Sequence, residues 1–423
     1  MVRKIIAGIT VASIVFALSS LSPYSYIKNN IGYDSSQNSI DSLEKVSINT
    51  DLNNILNRLK HMQIVRLSKV GYILISHNMQ EQDIQDNIRN IREIQVVEAP
   101  RNIEIIKPIQ RTPVNRDFKL GDIDQNTSTV VNDPGYKYEW DISYTQADKA
   151  WPLINQKREV KVAVLDTGID YTHPDLKNRV LLDKGYNFID NSYDVIDDNG
   201  HGTHVSGIIA AEANNKVGIA GITGNLDVKI IPVKVLDENG EGETDNIAKG
   251  IVYAVDKGAD VINLSFGIKS KSRLIAEAIN YAKSKGVFVV AASGNENENS
   301  DNFSPAGDGA FTVAAMNYNY KKAYFSDYGN SIKVAAPGVK ILSTVPGGYE
   351  AWDGTSMAAP VVSGIVAMVK AENPQLSPSQ IEDILDSTAK DIMYTGKDQQ
   401  SGYGLIDAYS AIKKVKELEK NNK

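Results

Sequence analysis

Between residues 162 and 336 the chain repeats one theme, a short and mainly apolar run followed by a longer stretch with helical spacing. The runs are Val162–Leu165, Ile230–Val235, Val261–Leu264, Val287–Ala291, Phe311–Ala315 and Ile332–Ala336. Apolar runs of this length, separated by amphipathic stretches, are the pattern of strands buried on both faces by helices. The pattern predicts an α/β fold with a mostly parallel central sheet flanked by helices. Further on, Val361–Val369 is almost wholly apolar and predicts a buried helix, while Ser377-Pro378-Ser379-Gln380 is a capping box that opens another. The charged stretch from Lys413 to Lys423 predicts a solvated helix end.

The first hundred residues have a different texture. Met1-Val2-Arg3-Lys4 is basic, and Ile5–Leu21 is an uncharged, mainly apolar run of 17 residues. This predicts an export signal over residues 1–25, with an uncleaved anchor as the alternative, because a spanning helix usually needs about 20 apolar residues. Residues 30–41 are rich in Ser, Asn, Gln and Asp and predict a tether. A compact unit over about 44–106 follows in the order βαββαβ. Its strands are expected at Val46–Ile48, within Gln63–Ile75 as two runs broken at Lys69, and at Ile94–Val97; its helices carry Ile55, Leu56, Leu59 and Met62, then Ile84, Ile88 and Ile91. Pro100, Pro108 and Pro113 predict an extended, accessible linker up to about residue 125. Residues 126–423 form the main domain.

Composition narrows the chemistry. A net charge of −7 gives no support for nucleic-acid binding, and the absence of cysteine excludes disulfides, thiolate metal sites and a cysteine nucleophile. Three blocks then stand out. Asp166 ends the apolar run Val162–Leu165 and precedes Thr167-Gly168; His201 opens the small-residue run Gly200-His201-Gly202-Thr203-His204; Ser356 lies in Asp353-Gly354-Thr355-Ser356-Met357-Ala358-Ala359-Pro360, directly before the buried helix. Taken alone, the last is a serine cap. Asp, His and Ser on separate elements of an α/β pattern, in that order, instead suit a hydroxyl nucleophile, a base and an orienting carboxylate. The residues by themselves do not choose between His201 and His204.

These blocks resemble the signatures of subtilisin-like serine proteases, and the resemblance extends from about Asn132 to Asp407. It implies that Ser356 is the nucleophile, His201 the general base and Asp166 the carboxylate that orients the imidazole. Ala292-Ser293-Gly294-Asn295 resembles the family's oxyanion segment, with Asn295 as the donor. Gly240-Glu241-Gly242 and Ser265-Phe266-Gly267, with Ala292, Ser293 and Gly294, resemble its substrate-binding segments. By the same resemblance, residues 26–125 form a prosegment that chaperones and inhibits the enzyme from within the active cleft, and residues 126–423 are the peptidase domain. The enzyme is then made as an autoprocessed zymogen, secreted and monomeric, meeting the membrane only during export, and its partners are a polypeptide substrate and its own prosegment. Glu98-Ala99-Pro100 is a candidate processing site within a range from Ala99 to Val131. Structural calcium is implied at Asp133, Asp175, Ala213, Asn215, Val217 and Ile219. Asp237, Glu238, Glu241, Glu243 and Glu296 form either a solvated acidic loop or a rim that prefers basic residues upstream of the cut.

Other classes fit less well. A zinc hydrolase on His201 and His204 lacks a third ligand, and an α/β-hydrolase esterase would carry its nucleophile first in the chain. A noncatalytic binding protein would be expected to lack one of the triad residues. A dedicated maturation protease, such as a lantibiotic leader peptidase, would share every catalytic residue with a degradative one.

Overall fold

The computed structural model describes the backbone of residues 62–66, 72–76 and 94–97, and the whole of residues 101–114 and 131–421. The chain divides into two compact units, Met1–Arg101 and Asn102–Lys423. In the first, β1 (Met62–Arg66) pairs antiparallel with β2 (Tyr72–Ser76), and β2 pairs parallel with β3 (Ile94–Val97). β2 and β3 lie where the apolar runs place them, but β1 begins one residue early: Met62, expected on the face of the preceding helix, pairs with Ser76 as a strand residue. The expected export signal, the strand at Val46–Ile48, both helices of the unit and the Glu98 processing site lie outside the described residues.

The second unit begins with a departure from expectation. β4 (Asn102–Ile105), whose residues are expected at the end of the compact unit of about 44–106, belongs to the second unit, and the segment read as an open linker beyond it forms β5 (Gln110–Pro113). Along β4, Ile103 and Ile105 are buried while Asn102 and Glu104 are exposed, an alternation that was present in the sequence but was overshadowed by the prolines. Pro108 falls between the two strands and Pro113 closes the second, positions at which a missing N–H costs little.

The core is a seven-stranded sheet built from β6 (Val160–Asp166), β7 (Tyr186–Asn187), β8 (Val228–Lys234), β10 (Val261–Leu264), β12 (Phe288–Ala292), β13 (Phe311–Met316) and β14 (Ile332–Pro337). Its order is β14-β13-β12-β10-β6-β8-β7, and each neighbouring pair is parallel. Growth of the sheet reverses direction beside β6, so the carboxyl ends of β6 and β10 open onto the crevice in which such sheets hold their ligands. Short strands frame that crevice: β9 (Glu241–Glu243), β11 (Phe266–Gly267) and the antiparallel pair β15 (Ile341–Val345) and β16 (Gly348–Asp353).

Helices α1 (His201–Ala210), α2 (Thr244–Asp256), α3 (Arg273–Ser284) and α4 (Thr355–Glu372) pack on the sheet, while α5 (Pro378–Thr388) packs on α6 (Ala408–Asn421), which packs on α4. All residues of α4 are buried, which explains why its sequence has no polar stripe. The capping box at Ser377 and Gln380 forms as the sequence predicts.

Candidate active site

Asp166 is the last residue of β6 and is fully buried. Its Oδ1 accepts the Thr167 N–H at 2.8 Å and lies 2.8 Å from His201 Nδ1. That contact fixes the imidazole tautomer: a proton on Nδ1 is held by the carboxylate, so the lone pair falls on Nε2. His201 Nε2 is buried and makes no hydrogen bond among the described residues. The approach of β6 to α1 depends on Gly202, where an added Cβ would lie 2.1 Å from Gly168 O and 3.1 Å from Asp166 Cβ.

A residue the sequence reading passed over sets this geometry. Asp197 accepts the Gly200 and Thr203 N–H groups at 2.8 Å each, capping the first turn of α1, and accepts Thr167 Oγ1 at 2.8 Å. Thr167 Oγ1 accepts the Gly202 N–H in turn. The same carboxylate thus ties the turn after Asp166 to the turn that carries His201. Its place four residues before His201 in a polar loop offered only the general preference of Asp for caps.

Ser356 occupies the first turn of α4. Pro360, one turn later, has no N–H to offer the Ser356 carbonyl, and Ser265 Oγ takes that role at 3.2 Å. Asn295, at the end of the β12 segment, accepts the Thr355 N–H and Thr355 Oγ1 on its Oδ1, both at 2.9 Å. With the oxygen so engaged, Asn295 Nδ2 is turned into the cleft.

The cleft holds a strand of this same unit. β4 lies between β9 and β11, pairing Asn102 with Glu243, Ile103 with Gly242, Glu104 with Glu241 and Gly267, and Ile105 with Phe266. The Ile105 N–H donates to Gly240 O at 2.8 Å and the Ile106 N–H to Ser265 O at 3.4 Å. Beyond β4, Ser356 Oγ donates to Ile106 O at 3.0 Å and to Ser265 O at 3.1 Å. Asn295 Nδ2 donates to Lys107 O at 3.0 Å. Ile103, Ile105 and Ile106 are buried, and each contributes roughly 1.5–3 kcal/mol to holding the segment.

Acidic groups behave individually here. Asp237 accepts the Asn239 and Glu241 N–H groups and so closes its own turn. Glu296 folds back to accept the Asn295 N–H at 3.1 Å. Asp327 is fully buried; its Oδ1 accepts the Glu296 and Glu298 N–H groups, while its Oδ2 lies against Gly294 without a partner among the described residues. Burial, with repulsion from Glu296 and Glu298, pushes its pKa up to about 6.

The residues expected to hold calcium are brought together elsewhere in the unit. Asp133 accepts the Asn214 and Lys216 N–H groups at 2.6 and 2.9 Å. Asp175 accepts Asn215 Nδ2 at 2.8 Å, Tyr349 Oη at 2.9 Å and the Ile219 N–H at 3.0 Å, and Asn215 Oδ1 accepts the Val217 N–H. Burial raises the pKa of Asp133 and Asp175, and that of nearby Glu139 well above the carboxylate range. Asp141, also buried, is pushed up to about 7. Among the described residues no cluster of three or more His, Cys, Asp or Glu side chains could hold an ion, so a cation here would rely on carbonyl and amide oxygens as well. The carboxylates of Asp133 and Asp175 and the Asn215 amide oxygen are oxygen donors of the kind a hard cation takes, and here they accept N–H and O–H groups.

The chain is similar to known proteins in sequence and in fold. A model of the subtilase family matches residues 157–404. The thermophilic serine proteinase of Bacillus sp. (strain AK1) is 39% identical over 332 residues, covering 78% of this chain and 80% of that protein. Subtilisin Savinase of Lederbergia lenta is 42% identical over 275 residues, covering 65% of this chain and 98% of that protein. Among solved structures, fervidolysin from Fervidobacterium pennivorans, described as a keratinolytic enzyme related to subtilisin, is similar with a TM-score of 0.70 and 31% identity, over 86% of this chain and 59% of its own.

Proposed function

The chain belongs to the subtilase family of serine proteases, and on that premise we propose that Asp166, His201 and Ser356 are its catalytic triad, hydrolysing peptide bonds through an acyl-enzyme. His201 Nε2 takes the Ser356 proton as Oγ attacks the substrate carbonyl, and Asp166 holds the imidazolium that forms. The oxyanion is met by Asn295 Nδ2 and the Ser356 N–H at the start of α4. His201 then protonates the leaving amine, and water repeats the cycle on the acyl-enzyme.

One observation carries this reading: a strand of the chain lies between β9 and β11 and sets the carbonyls of Ile106 and Lys107 on Ser356 Oγ and Asn295 Nδ2. Gly240–Gly242 and Ser265–Gly267 therefore bind substrate by strand addition, with Ala292–Gly294 alongside. Residues 26–125 act as prosegment, Ile106–Lys107 is the bond presented for the first self-cleavage, and residues 107–125 are trimmed afterwards. As seated it is held back, because the amide of Asn295 is spent on Lys107 O while the Ser356 hydroxyl donates to Ile106 O. The carbonyl of Ile106 must turn into the oxyanion site before attack.

Residues 1–25 direct export, so the mature enzyme is secreted, and it acts as a monomer. Asp133, Asp175, Asn215 and the carbonyls of Ala213, Val217 and Ile219 would hold calcium, whose charge would offset that of the buried carboxylates.

Mass spectrometry of the purified chain beside its Ser356→Ala variant tests the proposal. The wild type is expected to shorten first to a form starting near Lys107 and to cut added polypeptide, while the variant stays full length. Identical behaviour of the two proteins would overturn the assignment.

A further inference from the structure

The segment in the cleft does not leave the molecule after passing Ser356. It continues as β5, which adds a third strand to the β15–β16 pair. Gln110 pairs with Asp353, Arg111 with Trp352, Thr112 with Ala351 and Pro113 with Glu350. The Ile109 N–H donates to Asp353 O at 2.8 Å and the Val114 N–H to Tyr349 O at 3.2 Å, so hydrogen bonding extends beyond both ends of the strand.

Trp352 is the centre of this contact. One face of its indole is stacked on His204, with ring centroids 4.2 Å apart and planes 9° from parallel, so a further group can stack only on the other face. That face carries the Arg111 guanidinium, 4.2 Å from the ring centroid. Glu350 Oε2 accepts the Trp352 Nε1 proton at 2.6 Å, adding negative charge to the indole edge. The Trp352 ring also lies 6.2 Å from that of His201, which places the platform beside the reacting groups. A cation over an indole that is already backed by a parallel ring is a recognition geometry, because the aromatic face is rigid before the cation arrives.

We propose that the β16 edge is the docking track for the part of a polypeptide substrate that follows the cut, and that Trp352 with Glu350 selects a basic residue there. The chain's own segment defines the register: counted from Lys107 as the first residue after the cut, Arg111 is the fifth. Backbone pairing from Asp353 to Tyr349 holds any sequence, and the indole face discriminates among side chains. This deepens the protease reading of the same cleft and rests on it for the position of the cut.

The test uses peptides with the sequence of residues 102–114, the same peptide with Arg111→Ala or Arg111→Lys, and one ending at the position of Ile109. They are offered to processed enzyme that has been trimmed of residues 107–125, so that its own β5 no longer fills the β16 edge, and kcat/KM is measured. The parent and Arg111→Lys peptides are expected to be cut about threefold faster or more than the Arg111→Ala and truncated ones, the scale of one cation–aromatic contact. That gap should close in a Trp352→Leu enzyme and narrow in Glu350→Gln, which keeps the indole in place if the leucine variant fails to fold. Equal rates for all four peptides on the wild-type enzyme would overturn the track while leaving the protease assignment standing. Anisotropy of the same peptides, labelled, on enzyme treated with phenylmethanesulfonyl fluoride reads binding without turnover. Affinity that depends on Arg111 in the absence of any cutting would uphold the track and remove the catalytic reading. Absence of both binding and cutting would overturn the track as well.

Discussion

Replacing Asp327 by asparagine should make the protein more stable in alkali and less stable in acid. The Asp327 carboxyl is fully buried, and its pKa is pushed up from about 3.8 to about 6, first by burial. The folded protein therefore holds this proton more tightly than the unfolded chain does. Its favourable contribution is complete below about pH 4 and is lost as the pH rises through about 6, above which the native state carries a buried charge. A rise of that size corresponds to ~3 kcal/mol at most. The Asp327→Asn side chain would keep an oxygen to accept the Glu296 and Glu298 N–H groups, but would place an unpartnered NH₂ against Gly294, at a cost of about 1–3 kcal/mol. That cost is the same at every pH, so the difference between pH 4 and pH 8 isolates the ionisation. Denaturant unfolding in a Ser356→Ala background, which prevents self-digestion, should show Asp327→Asn improving relative to its parent by up to ~3 kcal/mol between those pH values. A difference that stays flat with pH would refute the account of Asp327 as a buried, poorly solvated carboxylate.

Other outcomes follow from the same contacts. Thr355→Val removes one of the two donors that hold Asn295 Oδ1, and also the acceptor of the Gly294 N–H; kcat should fall tenfold or more, with a smaller change in KM, as steady-state kinetics would show. Gly202→Ala forces a methyl into Gly168 O; about 1–3 kcal/mol of stability should be lost in thermal or denaturant unfolding, and activity with it. Adding millimolar calcium to chelator-treated protein should raise Tm by several degrees, and Asp175→Asn should abolish most of that gain, as read by scanning calorimetry.

Legibility differed from one residue to the next. The strand that ends at Asp166 could be read because burial on both faces leaves no freedom to place polar residues along it. Ser356 could be placed next to a buried helix for a similar reason, since such a helix declares itself by composition, although it starts at Thr355 and takes in Pro360, ahead of the Val361 start of the apolar run. The pairing of Asn295 with Thr355 was beyond reach, because it joins residues 60 positions apart through one amide whose orientation depends on which donors surround it. Asp197 looked like any polar loop residue until folding set Thr167 and the first turn of α1 around it.

Local chemistry along the chain was enough to determine the layered α/β architecture, the order of the three reactive blocks and the parallel sheet that aligns them, because periodicity and buried runs are properties of neighbouring residues. That the prosegment enters the cleft is implied by the family resemblance, but which residues fill it and in what register was decided by the tertiary structure. Pro108 and Pro113 suggest an open linker, yet β9, β11 and β16 present unpaired strand edges on both sides of Ser356. Any extended segment tethered close by saturates those backbone groups and buries Ile103, Ile105 and Ile106 in doing so. The demand for that strand resides in edges more than a hundred residues away, and no window of sequence around Ile106 contains it.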